Sequence, residues 1–362
     1  MRDTIERLAI RACTGAGAAV WLWTLAACGG GGDREPPRPT DRLSPVPVAA
    51  DSVTVSGFSA GGYMAVQFHV AHSSLVQGAG VFAAGPYYCA ENSLSDALGR
   101  CMRGDGEIPA EQLAGLTSQL ALDGEIDAIA GLASDRVFLW HGGADDVVAK
   151  SVVDAAHVYY ATLVAPATIA RVELEHAAHT FPADDASLPA CDVTAEPFVG
   201  QCGYAGARNM FQHLYGVPPA DASTVEPGDL RVVDQSPYVK ASGAAGMAAR
   251  GWLYVPRACS GQGTPGRCRL HVAFHGCKQG ASYVDDAFVR RSGYLAAADA
   301  GDVVVLFPQA EPSFQPLNPN GCWDWWGYGS EAYATRRGPQ VVAVKAMIDD
   351  LLGAAAAKAR QE

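Results

Sequence analysis

Short apolar runs punctuate this chain, and several of them end in glycine. The first, Val53-Thr54-Val55, leads into Gly57-Phe58-Ser59-Ala60-Gly61 and then a helix-like stretch over 63–71. Others fall at 80–85, 136–140, 168–174, 270–274 and 303–308. Runs of this length without a helical stripe read as strands buried in a sheet. A helix-like stretch at 284–300 and an amphipathic run at 340–352 alternate with them. Strands alternating with helices predict an α/β fold, a mostly parallel sheet with helices on both faces.

The turn at 57–61 carries chemistry. Gly57-x-Ser59-x-Gly61 between a strand and a helix is the layout of a nucleophile elbow, a sharp turn that lifts a serine clear of the sheet. The turn strains the serine backbone and packs strand against helix so closely that a β-carbon at either flanking position would clash. The motif alone is weak in a chain with 40 glycines; its strand-before, helix-after context gives it weight. A serine needs a base, and the base needs an orienting acid. In α/β-hydrolases these follow in the order Ser, Asp or Glu, His. The strand at 136–140 opens into His141-Gly142-Gly143-Ala144-Asp145-Asp146, and the strand at 168–174 runs into Glu175-His176-Ala177-Ala178-His179. Open parallel sheets gather their site residues just past strand carboxyl ends. Asp145 is therefore the expected acid and His179 the expected base. Asp146 is expected to cap a helix starting near Val147. His176 comes too soon after its strand to reach Ser59.

The tetrahedral oxyanion needs a second N–H donor, normally from a loop after an earlier strand. Too little folded-looking sequence precedes Ser59 to supply one. The match lies far downstream, where the strand at 270–274 ends in His275-Gly276-Cys277. Moving residues 240–352 in front of residue 50 restores a conventional α/β-hydrolase order. The chain thus reads as a circular permutant opened just before the nucleophile strand, a change tolerated where the original ends lie close together.

In this order the motifs 56–64, His141-Gly142-x-x-Asp145, His179-x-Phe181-Pro182, 211–216, 233–236, Phe274-His275-Gly276-Cys277-Lys278-Gln279 and 321–326 resemble the poly(3-hydroxybutyrate) depolymerase family in its circularly permuted form. The resemblance spans roughly residues 50–352. It implies Ser59 as nucleophile, Asp145 as acid, His179 as base, and the N–H groups of Ala60 and Cys277 as oxyanion hole. One departure is Asp234-Gln235-Ser236-Pro237-Tyr238, altered near its end from the family's usual acidic residue. It leaves the triad untouched and bears on substrate contacts.

Composition narrows the remaining possibilities. A 49% apolar content and a net charge of −12 exclude disorder and the basic face that nucleic-acid binding requires. No internal repeat, phosphate-binding glycine loop or clustered metal-ligand spacing is present, and no cofactor is expected. Arg2, Arg7 and Arg11 precede an apolar stretch at 18–27 that is too short to span a bilayer stably. Leu25-Ala26-Ala27-Cys28 resembles a lipobox, so residues 1–27 are expected to be a lipoprotein signal peptide and Cys28 the lipidated residue. Residues 28–48, rich in glycine and proline, would form a tether, and 49–355 a single catalytic domain. The expected locations are the outer membrane, through the lipid anchor, or outside the cell after secretion. The expected assembly is a monomer.

Export makes the eight remaining cysteines a disulfide framework. Spacing pairs Cys89 with Cys101, Cys191 with Cys202 and Cys259 with Cys268, leaving Cys277 for Cys322. Trp323, Trp325, Trp326 and Tyr328 lie in a Gly-, Asn- and Pro-rich loop, and with Tyr87 and Tyr88 they form the expected apolar wall beside Ser59. The expected function is a serine esterase hydrolysing poly(3-hydroxybutyrate) or its oligomers through an acyl-enzyme. A feruloyl or acetyl-xylan esterase, or a catalytically silent surface-binding homologue, is the alternative.

Overall fold

The computed structural model describes residues 43–216, 227–260 and 268–353. The expected signal peptide and Cys28 lie outside the described residues. Strands β1 (Val48–Phe58), β2 (Val76–Phe82), β3 (Arg136–Gly142), β4 (Ile169–Leu174), β7 (Asp229–Asp234), β8 (Arg250–Val255), β9 (Cys268–Phe274) and β10 (Val303–Phe307) form one sheet. Its order is β4-β3-β2-β1-β9-β10-β8-β7. Six strands from β4 to β10 pair in parallel, while β8 runs antiparallel to both its neighbours. A small parallel pair, β5 (Phe181–Ala183) and β6 (Val199–Gln201), stands apart.

The first strand, β1, lies in the middle of the sheet; the next three build outward to β4, and the chain then resumes at the opposite edge with β7 and β8 and fills the gap with β9 and β10. The strand order reverses between β1 and β9, which pair in register from Val53 with Leu270 to Gly57 with Phe274. Crevices at such reversals, at the strands' carboxyl ends, are where open α/β sheets hold their ligands. The permutation read from the sequence is visible in this order, but its junction lies earlier than residue 240. β7 begins at Asp229, and its half-exposed, mixed-polarity pattern is that of an edge strand, which carries no continuous apolar run.

Helices α1 (Ala60–Ala71), α4 (Lys150–Ala161) and α10 (Pro339–Leu352) cover one face, and α5 (Gly206–Tyr215) and α9 (Tyr294–Gly301) the other. All twelve residues of α1 are buried, so it shows no solvent-facing polar stripe, and its polar side chains Gln67 and His69 find partners inside the protein. The remaining α-helices among the described residues are α3 (Ala110–Leu122) and the short α2 (Leu94–Leu98), α6 (Ser236–Ser242), α7 (Ala281–Val284) and α8 (Ala287–Arg291).

The single helix expected over 284–300 is instead α7, α8 and α9. Asp285 (φ 50°) and Gly293 (φ 83°) take left-handed backbone, which a continuous right-handed helix cannot contain. The apolar run expected at 80–85 leaves the sheet after Phe82, where Ala83 turns to φ 51°. The tether boundary at 48 also moves. Leu43 is buried, and the Val46 N–H donates to the Leu351 carbonyl at 2.9 Å, so residues from 43 onward belong to the domain.

Candidate active site

Ser59 ends β1 and opens α1 with φ 55° and ψ −123°, a strained conformation held by its N–H on the Phe82 carbonyl (2.8 Å) and by the Tyr63 N–H on its own carbonyl (3.1 Å). The two glycines of the turn are sterically required. A β-carbon on Gly57 would lie 2.0 Å from the Gly61 carbonyl oxygen, and one on Gly61 would lie 2.3 Å from that of Phe274. The second contact shows how closely the start of α1 approaches the end of β9.

Ser59 Oγ lies 3.0 Å from His179 Nε2, and His179 Nδ1 lies 2.8 Å from Asp145 Oδ2. A carboxylate only accepts, so Nδ1 carries the proton and Nε2 is free to accept the serine hydroxyl. The Asp145 side chain is fully buried. Its second oxygen accepts the N–H groups of Val147 (2.9 Å) and Val148 (2.8 Å). The neighbouring acid does not cap the next helix as expected: α4 starts at Lys150, and Asp146 is exposed. His176 is likewise exposed on the approach to the site. The His179 N–H donates to Thr194 Oγ1 (3.1 Å), and the Phe58 ring packs 4.6 Å from the imidazole.

Ser59, Ala60, His179 and Cys277 line a common cavity of about 420 Å³. The N–H groups of Ala60 and Cys277 meet no acceptor among the described residues. The remaining wall is largely apolar, with Leu94, Leu98, Met102, Phe198, Leu317 and the indoles of Trp325 and Trp326. Among the described residues, Lys278 and His179 are the only basic side chains lining it, and no carboxylate does. Trp325 stacks on Tyr63 at 4.2 Å, which holds its ring as a flat surface.

The other expected aromatics do not face this cavity. Trp323 is fully buried, and its indole N–H donates to the His275 carbonyl at 3.1 Å. Tyr87 is buried with its hydroxyl on the Ala334 carbonyl, and Tyr88 stacks on Tyr333. Tyr328 turns its hydroxyl inward, where it donates to the Cys322 carbonyl (3.0 Å) and meets Asn318 and Gln340. Trp323, Tyr87 and Tyr328 sit where the polar tip finds a partner inside the protein, as buried tyrosine and tryptophan require, while the half-buried Tyr88 accepts from Asn92 (2.6 Å). Leu94, Leu98, Phe198 and Leu317 replace them in the wall. Isolated apolar residues in polar loops were the only sequence signal for these positions, and it is a weak one.

The Asp234–Tyr238 segment does not line the cavity either. Gln235 is buried, accepting the Gln309 N–H (2.9 Å) and donating to the carbonyls of Ala248 (2.8 Å) and Gln309 (3.1 Å), and at the departing end the Tyr238 hydroxyl donates to Asp350 (2.5 Å).

All four disulfides join the pairs that spacing indicated: Cys89–Cys101, Cys191–Cys202, Cys259–Cys268 and Cys277–Cys322. The last fastens the loop after β9 to the tryptophan-rich loop at the cavity itself. Four disulfides fit a protein that matures outside the reducing cytoplasm.

No protein-family model matches the chain. It is 42% identical over 298 residues to the poly(3-hydroxybutyrate) depolymerase of Delftia acidovorans, an alignment covering 82% of this chain and 58% of that protein. It is 35% identical over 299 residues to the polyhydroxybutyrate depolymerase of Talaromyces funiculosus, covering 79% of this chain and 85% of that one. The chain belongs to the poly(3-hydroxybutyrate) depolymerase family. Two solved depolymerase structures share its fold, each with a TM-score of 0.79 and 31% identity over 86% of this chain and 99% of theirs. One is from Penicillium funiculosum, and the other is a serine-to-alanine variant complexed with an R3HB trimer. The chain spans little more than half the length of its Delftia relative.

Proposed function

We propose that this protein hydrolyses the ester bonds of poly(3-hydroxybutyrate) or its oligomers by a serine mechanism. The observation that carries the reading is the Ser59–His179–Asp145 relay opening into an apolar cavity, in a chain of this family. His179 Nε2 takes the Ser59 proton as Oγ attacks the ester carbonyl carbon. Asp145 keeps the imidazole in the required tautomer and stabilises the imidazolium. The carbonyl oxygen gains negative charge beside the N–H groups of Ala60 and Cys277, each such donor being worth roughly 3 kcal/mol in the transition state. Collapse breaks the ester C–O bond, and His179 returns its proton to the departing hydroxyl oxygen. Water, giving a proton to His179, then attacks the acyl-enzyme; collapse frees the carboxylic acid and restores Ser59.

The apolar wall suits aliphatic ester units, with Trp325 and Trp326 as flat surfaces along the chain. Leu94, Leu98 and Leu317 at the wall stay 49%, 44% and 65% exposed, so apolar surface continues outward from the cleft. The proposal includes a cleaved leader over residues 1–27 and lipid attachment at Cys28. In that case the mature protein partitions into detergent with a blocked amino terminus, and Cys28→Ser is left unprocessed or released. Recovery of the unaltered protein as a freely soluble species beginning beyond residue 28 removes the anchor from the proposal. Clearing of a turbid poly(3-hydroxybutyrate) suspension tests the activity. The parent is expected to clear it and Ser59→Ala to leave it turbid while still folded; residual hydrolysis within about tenfold of the parent sinks the serine mechanism.

A further inference from the structure

Gln279 is 1% exposed, and its amide joins two loops that come from opposite halves of the rearranged chain. Its Oε1 accepts the Gly276 N–H at 2.7 Å, on the loop that carries Cys277. Its Nε2 donates to the carbonyls of Pro197 (3.1 Å) and Phe198 (2.9 Å). The Phe198 carbonyl also accepts the Phe181 N–H at 2.8 Å, two residues beyond His179. One side chain therefore braces the Cys277 loop against the segment that holds the base.

The brace bears on where the Cys277 N–H points. The Gly276 carbonyl lies 2.7 Å from His275 Nδ1 and accepts the Gln279 N–H at 3.3 Å. His275 Nε2 accepts the Ala310 N–H at 3.0 Å, so its proton sits on Nδ1 and faces that carbonyl. In a planar trans peptide the carbonyl and the following N–H point in opposite directions. Holding the Gly276 carbonyl against His275 thus turns the Cys277 N–H the other way, and Cys277 lines the cavity with Ser59. The Gln279 side chain holds the preceding peptide through the Gly276 N–H, leaving Gly276, the most pliable residue of the loop, little freedom.

We propose that Gln279 is a positioning residue of this centre, holding the Gly276–Cys277 peptide and the His179 segment at the spacing that stabilises the tetrahedral intermediate. The proposal rests on the esterase reading above. It assigns Gln279 no contact with substrate.

Two variants of the full chain separate positioning from packing. Gln279→Met keeps the length and apolar volume but makes none of the three bonds. Gln279→Glu keeps an acceptor for the Gly276 N–H and turns a second oxygen on two carbonyl oxygens. Ionised, that oxygen repels both; protonated, it donates to one of them and restores part of the brace. A carboxyl held there has a raised pKa, because burial and the facing carbonyls disfavour its charge. The titratable groups of the two segments it would join are His179, Asp184, Asp185, Asp192 and Glu196 on one, and His275 and Lys278 on the other.

The measurement is kcat and KM on a soluble 3-hydroxybutyrate trimer from about pH 5.5 to about pH 8, with the folded fraction followed by circular dichroism. Gln279→Met is expected to lower kcat roughly 10- to 100-fold with KM within about twofold, part of the loss seen when an oxyanion donor is removed. Gln279→Glu is expected to match that loss near pH 8 and to regain about tenfold, relative to the parent at the same pH, by about pH 5.5. A variant-to-parent ratio flat with pH, or kcat within about twofold of the parent in both variants, overturns the positioning role. If Gln279→Met fails to fold, the pH dependence of the Gln279→Glu ratio decides alone. Ser59→Ala, assayed alongside, separates the two readings: full activity there overturns the esterase proposal, whereas its loss beside unimpaired Gln279 variants overturns only the positioning role.

Discussion

Asp145 does two jobs with its two oxygens, and this is the residue-scale fact with the clearest consequence. Oδ2 receives the imidazole proton, while Oδ1 holds the N–H groups of Val147 and Val148. Asp145→Asn is expected to cost on the order of 10⁴ in kcat, because an amide nitrogen facing Nδ1 favours the wrong tautomer. Asp146→Asn, at an exposed side chain, is expected to stay within about twofold. The reverse ranking in steady-state kinetics would move the acid by one position. The tryptophans divide in the same way. Trp323→Ala removes a fully buried ring and its hydrogen bond, and is expected to cost about 3–5 kcal/mol of stability in denaturant unfolding. Trp326→Ala, half-buried in the cavity wall, is expected to spare stability and small soluble esters and to weaken clearing of the polymer. Equal loss on both substrates would place that ring outside polymer contact.

At the scale of elements, the site is a meeting of loops after β1, β3, β4 and β9, and no single element holds it together. The Cys277–Cys322 bond ties the loop after β9 to residues 45 positions away in sequence. Closing a loop of that length is worth about 4 kcal/mol by chain entropy. Asp324, two residues past that bridge, accepts the N–H groups of Gly327 (2.8 Å), Tyr328 (2.9 Å) and Gly329 (2.9 Å), and folds the aromatic loop back on itself. Cys322→Ser is therefore expected to lower the unfolding midpoint and to reduce turnover on soluble esters as well as polymer, since the Cys277 donor and the Trp325 surface share this support. Unchanged kcat on a soluble ester would show that the remaining bonds of the loop, Gln279 among them, suffice.

For the whole molecule, buried histidines set the response to acid. Burial pulls His271 down to about 3, and His72 and His275 to about 4, from an ordinary 6.5. His271 stands on β9 beside the nucleophile strand, within hydrogen-bond reach of Thr54 (2.7 Å) and Ser56 (2.6 Å). Below the ordinary value the unfolded chain binds protons that the folded chain refuses. Stability is therefore expected to fall as pH drops from about 6.5 towards about 4. Asp324 acts in the opposite sense. Burial raises its carboxyl to about 6, so the stability it contributes is present in acid and is lost between about 3.8 and about 6 as pH rises. Burial pushes Asp299 and Glu311 up in the same sense as Asp324. Burial also lowers His213, and hydrogen bonds from Lys150 and Ser187 lower Glu173 and Asp185, so the groups that lose stability in acid remain the larger set. Unfolding midpoints measured across this range test it, and a flat or rising profile on acidification would show that the histidines admit protons in the folded state.

What the sequence determined alone was whatever local backbone physics dictates. Gly57 and Gly61 around Ser59 mark a turn that only glycine permits, and the apolar runs before Ser59, Asp145, His179 and Cys277 mark the strands that end at the site. The permuted order followed from those same runs, because strand identity survives a change of chain ends. Cysteine spacing likewise indicated three bridges and left Cys277 and Cys322 to form the fourth. Tertiary structure alone decided which way side chains face. The aromatic loop has no regular period, so nothing local separates Trp323, turned inward to a carbonyl, from Trp325 and Trp326 in the cavity wall. The break of the 284–300 segment depends on Asp285 as well as Gly293, and a left-handed aspartate has no sequence signature. Gln279 shows the limit most plainly. Its partners are one loop supplied by the front of the chain and another by the back, and only the folded sheet brings them within reach of one amide.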